Sequence, residues 1–220
     1  MIINHYEKTK CINGCELFND KSKYLYWEDR NVSTDEVEII NFLNKNELCD
    51  NKIILHIGIG NSYFASNIKK YKKVDGISIS TNEINYAKSL QIENYRVIFF
   101  NKFSNNGFFK NRLNYYDFII DANIKSFTCC QIAFENLFLN YCLTLKKNGK
   151  IFTSKNGMNW NRVVRPVLSF SLKKLFHKRL KEFDGPANNK LKVHECIELS
   201  KKHDLEFIEP NNSQIAFFKK

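Results

Sequence analysis

The residues of this chain best suited to chemistry gather around a pair of glycines. Gly58 and Gly60 directly follow the apolar run Ile53-Ile54-Leu55-His56-Ile57, in a chain with 8 glycines among 220 residues. Glycine this scarce, at the end of an apolar run, marks a backbone that turns sharply or approaches a ligand closely. A strand, a Gly-x-Gly turn and a helix start leave backbone N–H groups at the strand's carboxyl end, where open α/β sheets bind nucleotides. A tight strand-to-helix turn with no ligand uses the same residues. A dinucleotide turn wants a further glycine at the sixth position of Gly-x-Gly-x-x-Gly, where helix and strand pack closest and a pyrophosphate sits. That position is Tyr63, which argues against NAD(P) and for a ligand without a pyrophosphate.

Further polar candidates stand at the ends of later apolar runs. Asp121 and Asn123 close the run that begins at Tyr116, and Lys155 and Asn156 close the run that ends at Ser154. Asp121 has the type of a general base, although carboxylates at strand ends also cap neighbouring helices. His177 and His194 are candidates by type alone, and solvated surface histidines are the commoner case. Seven cysteines, at 11, 15, 49, 129, 130, 142 and 196, are an odd number behind no secretory leader and read as reduced thiols of a cytoplasmic protein. Cys11 and Cys15 have the spacing of half a zinc site, yet no Cys/His pair of ligand spacing follows, so no metal is expected.

The elements that must position these residues follow from hydrophobic periodicity. Residues 1–33 are polar and aromatic without a clear period and form an N-terminal arm. Ser33 or Thr34 can cap a helix that carries Glu36 and Glu38 near its positive end and an apolar stripe of Val37, Ile39, Ile40, Phe42 and Leu43 to about Lys45. Short apolar runs then alternate with helical periods: strand 52–57, helix 62–71, strand 74–79, helix 82–90, strand 96–100, strand 116–121, helix 128–145, a Lys-Lys-Asn-Gly turn ending at Gly149, and strand 150–154. That rhythm predicts a mostly parallel sheet with both faces covered. A helix over 193–202 and strands over 205–208 and 214–218 close the chain as an antiparallel hairpin.

Composition narrows the class without naming a function. The chain is 43% hydrophobic with a mean hydropathy of -0.42, and no run approaches the length that spans a bilayer, so a soluble globular domain is expected. Its net charge of +11 points toward nucleic acid as a partner. However, 28 of the 34 basic residues are Lys, scattered among 19 Phe, 10 Tyr and abundant Asn and Ile, the residues of A/T-rich codons. Genomic composition and a selected electrostatic footprint both account for the charge.

On these motifs the chain resembles the class I S-adenosylmethionine-dependent methyltransferase family. Its first motif, an acid and then hydrophobic-Gly-x-Gly-x-Gly, is matched by His56-Ile57-Gly58-Ile59-Gly60-Asn61-Ser62, with His56 in the place of the acid and Ser62 in that of the third glycine. The second motif, a strand ending in an acid that holds the ribose hydroxyls, has Ser78 in the acid's place. It is similar to the variant in cyclopropane fatty acid synthase relatives, where a later residue, here Glu83, shares that task. Tyr116 to Asn123 is similar to the family's fourth strand, and Leu143 to Phe152 to its turn into the fifth. The resemblance covers about residues 35 to 220. It implies a doubly wound α/β domain over 34–220 with a seven-stranded, mostly parallel sheet and a C-terminal antiparallel hairpin, a Rossmann-like fold, and S-adenosylmethionine as cofactor. It implies cofactor contacts at His56, Gly58, Gly60, Asn61, Ser62, Ser78, Ile79, Glu83 and Asn101, and catalytic positions at Asp121 and Asn123.

By the same resemblance, residues 155–190 are a substrate cover, with Lys155, Asn156, Arg162 and Arg165 toward the acceptor. Within it Leu168, Leu172, Leu175, Phe176 and Leu180 recur at helical spacing with bases on the remaining face. A lid over an anionic small molecule, an interfacial helix on anionic lipid through 160–183, and a solvated helix all fit. The expectation is methyl transfer to a small or carrier-linked acceptor, anionic in the first of these cases. The alternatives are a non-catalytic methyltransferase-like module, aminopropyl transfer and RNA methylation.

Overall fold

A computed structural model describes residues 32, 34–46, 48–104, 107–126, 128, 131–155, 191–211 and 213–220. The expected arm, apart from Val32, and most of the expected cover, 156–190 with Asn156, Arg162 and Arg165, lie outside the described residues.

Chain order alternates helix and strand: α1 Thr34–Lys45, β1 Ile53–Ile57, α2 Tyr63–Asn67, β2 Lys73–Ser78, α3 Thr81–Ser89, β3 Tyr95–Phe99, α4 Gly107–Lys110, β4 Tyr116–Ile120, α5 Gln131–Thr144, β5 Leu145–Ser154, α6 Val193–Lys202, β6 Glu206–Ile208 and β7 Ile215–Lys219. The strands form one sheet in the order β3-β2-β1-β4-β5-β7-β6. The first five run parallel, and β7 is antiparallel to both β5 and β6. Because β1 leads outward to β2 and β3 on one side and is flanked by β4 on the other, the strand order reverses at β1/β4. Open α/β sheets bind ligands at the carboxyl edge of such a reversal.

Strand period two divides the apolar residues into two cores. Leu55, Ile57 and Ile119 pack on one face with Phe108, Phe109, Phe134, Leu137, Phe138 and Tyr141. Ile54, Val74, Phe118, Ile120 and Phe152 pack on the other with Ile39, Ile40 and Leu43 of α1 and Phe64 of α2. Burial on both faces explains why β1 and β4 read as continuous apolar runs. In the middle of β2, level with Leu55 of β1, the fully buried Asp75 takes a two-pronged bond from Arg96 at 3.0 and 2.9 Å and a third from Tyr116 at 3.0 Å. Burial pushes the thiols of Cys49, Cys142 and Cys196 up to about 12, which makes them inert packing. Among the described residues no helix is long and apolar enough to cross a membrane, and no group of three His, Cys, Asp or Glu could hold a metal ion.

Three elements depart from the sequence expectation. The helix expected over 62–71 stops at Asn67, because the side chain of Asn44 donates to Asn67 O at 2.9 Å and accepts from Lys69 N at 3.1 Å, claiming groups that a continuing helix uses itself. The turn expected before Gly149 is a bulge within β5: pairing jumps from Tyr116↔Leu145 to Phe118↔Lys150, and Asn148 takes a φ of 64°. The four-residue helix α4 carries Phe108 and Phe109 into the core and is too short for periodicity to reveal.

Candidate functional site

Apart from His194, which is exposed in the first turn of α6, the described candidates lie at one edge of the sheet, because β1 to β5 are parallel and each stands at a strand's carboxyl end or in the loop or helix turn that follows it. The edge is built around the turn after β1. There the backbone takes a left-handed φ three times in five residues, 71° at Gly58, 51° at Gly60 and 60° at Ser62. Only glycine adopts this region without strain. Its own chain neighbours aside, a Cβ at Gly58 or Gly60 would meet no atom of the described residues within 4 Å, so among them the turn is open above its backbone. Gly58 N donates to Ile77 O at 2.9 Å, which ties the turn to β2, and Ser62 N donates to Ile59 O at 2.8 Å. Asn61 contributes locally: its Oδ1 accepts from Tyr63 N at 3.2 Å.

His56 is 4% exposed and packs its ring 4.6 Å from that of Phe64. Burial lowers its pKa to about 3, so the ring is neutral, and its Nδ1 has no hydrogen-bond partner among the described residues. Its Nε2 lies 3.9 Å from Oε1 of Glu36, which is contact without an ion pair while the ring is neutral. That Oε1 accepts the backbone N–H of Phe64 at 3.1 Å.

At the end of β2 Ser78 and Glu83 come together. Ser78 Oγ donates to Glu83 Oε2 at 2.5 Å and accepts from Ser80 N at 3.0 Å. Glu83 sits in the first turn of α3, whose N-cap Ser80 accepts Glu83 N at 3.3 Å. A carboxylate thus stands at the end of β2 although the strand supplies none. Ile79 lies beside the pair, half-buried, and beyond β3 the buried Asn101 accepts from Phe103 N at 3.0 Å.

Asp121 follows β4 and is 3% exposed. Its Oδ2 accepts from Lys102 Nζ at 2.8 Å and from the Tyr141 hydroxyl at 2.9 Å, and its Oδ1 accepts from Asn123 N at 3.1 Å. Both oxygens are engaged within the protein. Lys155 follows β5 and lies 3.7 Å from Glu209, between partly exposed side chains. Sequence reasoning gave Glu36 a role only in α1 and overlooked Lys102 and Tyr141. No local signal singles out Lys102 among 28 lysines.

No protein-family model matches this sequence, and no curated protein sequence matches it either. Solved structures do match. The N-methyltransferase NodS from Bradyrhizobium japonicum, solved with S-adenosyl-L-homocysteine, aligns with a TM-score of 0.55 and 11% identity over 84% of this chain and 86% of its own. A protein from Bordetella parapertussis aligns at 0.56 and 13% over 84% of this chain, which spans 66% of that protein's length. The [4+2]-cyclase SpnF aligns at 0.52 and 10% over 78% of this chain and 57% of its own. At these identities the shared property is architecture, which many chemistries occupy. The chain therefore has the class I methyltransferase fold, with its glycine turn, Ser78–Glu83 pair and Asp121 at the carboxyl edge of the parallel strands.

Proposed function

We propose that the chain binds S-adenosylmethionine at the carboxyl edge of β1 and β2 and transfers its methyl group to a small or carrier-linked acceptor. The observation that carries this reading is the open glycine turn beside the Ser78–Glu83 pair. The turn accepts a ligand close to its backbone, and a carboxylate with a hydroxyl one strand away suits the two ribose hydroxyls. Ile79 and Asn101 then border the nucleoside. The cofactor supplies a sulfonium whose leaving group is already activated. The protein's part is to hold an acceptor in line and exclude water. NodS, solved with S-adenosyl-L-homocysteine, supports this choice of ligand.

A second reading, a module that binds the cofactor without transferring its methyl group, is favoured by Asp121, whose two oxygens are occupied by Lys102, Tyr141 and Asn123. Calorimetric titration with S-adenosylhomocysteine tests the binding step. The expected result is saturable heat that Gly58→Val removes; no heat at millimolar ligand overturns both readings. Incubation with methyl-labelled cofactor and a metabolite extract then separates them, since only the first yields a labelled product.

A further inference from the structure

Helix α1 grips α2 at both ends. Glu36 Oε1 accepts from Phe64 N at 3.1 Å, while Asn44 bonds Asn67 O and Lys69 N at 2.9 and 3.1 Å. Eight residues separate Glu36 from Asn44, about 12 Å along a helix, so one element spans its neighbour from start to finish.

The grip at Phe64 bears on the glycine turn. The first N–H groups of a helix have no intrahelical acceptor, and a serine before the first turn ordinarily supplies one. Ser62 does not: it takes a left-handed φ of 60°, makes no side-chain cap, and points its hydroxyl to Tyr95 OH at 3.3 Å. The acceptor instead comes from Glu36, 28 residues upstream. A turn with three left-handed residues persists when its surroundings over-determine it, and a carboxylate accepting a backbone N–H is among the stronger single ties available.

We propose that Glu36 is a positioning residue that caps α2 from α1 and thereby holds the Gly58–Ser62 turn in the shape that receives its ligand. The ligand in question is the cofactor of the reading above, on which this inference rests. Glu36 acts through Phe64 N and the turn.

Hydrogen exchange over residues 58–67 without ligand, and S-adenosylhomocysteine affinity by calorimetry, test it in Glu36→Ala, Glu36→Gln and Asn44→Ala. Glu36→Ala is expected to exchange faster over 58–64 and to bind roughly tenfold more weakly. Glu36→Gln keeps both values near the parent's, because its amide oxygen accepts the same N–H. Asn44→Ala loosens 67–69 and leaves affinity unchanged, which separates the turn from general docking of α2. If Glu36→Ala fails to fold, Glu36→Leu replaces it. Unchanged exchange in the variant without an acceptor overturns the proposal, as does a glutamine variant as weak as the alanine one. A parent that binds no S-adenosylhomocysteine sinks the cofactor reading while the exchange measurement still decides whether Glu36 holds the turn.

Discussion

The ammonium of Lys102 lies 2.8 Å from Oδ2 of Asp121 and reaches the backbone oxygens of Asn123 and Ile124 at 3.1 and 3.0 Å, so its three donors are matched by three acceptors. The pair is nearly buried, with the side chains 12% and 4% exposed. Removing the carboxylate strands the ammonium and leaves Tyr141 OH without its acceptor. Asp121→Ala is therefore expected to lose about 3–5 kcal/mol of stability, and Tyr141→Phe about 1 kcal/mol, both read by urea unfolding. A stable Asp121→Ala that binds cofactor but yields no product would instead make Asp121 a catalytic base.

The two glycines at Gly58 and Gly76 separate ligand binding from folding. At Gly58 an added Cβ meets nothing within 4 Å among the described residues but the φ is 71°, so Gly58→Ala costs about 1–2 kcal/mol of strain and intrudes where the proposed ligand would approach. At Gly76 the Cβ would stand 2.7 Å from Ile59 Cγ2 and from the Tyr95 ring. Overpacking there costs about 1–3 kcal/mol. Thermal unfolding and S-adenosylhomocysteine titration on both variants check this. Gly58→Ala should suffer chiefly in affinity and Gly76→Ala chiefly in Tm.

Ser78 and Glu83 share a 2.5 Å hydrogen bond, and the carboxylate is the stronger acceptor for a ribose hydroxyl. Glu83→Ala should weaken S-adenosylhomocysteine binding by about 1.5–3 kcal/mol, and Ser78→Ala by less, because it leaves the carboxylate in place. Titration of the two variants beside the parent gives the order. Three equal affinities place the ribose elsewhere.

Much of the fold was legible because its signals are local. Short apolar runs alternating with helical periods marked the strands, and α6 has its expected bounds, Val193–Lys202. The length of α2 was not legible, because Asn44 ends it from another element. In the site, the Gly58–Gly60 spacing is a short-range pattern, the pairing of Ser78 with Glu83 came from family resemblance, and both pairs stand at the carboxyl ends of β1 and β2. Glu36 and Lys102 act on residues 28 and 19 positions away, distances over which a single sequence carries no pairing signal. Asp121 was legible as a polar strand end, yet its partners are visible only in three dimensions.

His56 makes stability depend on pH. Burial lowers its pKa to about 3 in the fold, against about 6.5 for an unfolded histidine. Between those values the unfolded chain holds a proton that the folded chain does not. Stability is therefore complete above about pH 6.5 and falls as the pH drops toward 3, at up to about 1.4 kcal/mol per pH unit from this one group. Other groups titrate over the same pH range, so the contribution has to be read as a difference between proteins. His56→Phe keeps an aromatic ring against Phe64, removes the titration and eliminates the unpartnered Nδ1. Urea unfolding at pH 7, 6, 5 and 4 should show the variant gaining on the parent steadily as the pH falls below 6.5. Parallel curves would mean that the folded protein protonates His56 as readily as the unfolded chain does, and that the 3.9 Å contact with Glu36 is an ion pair after all.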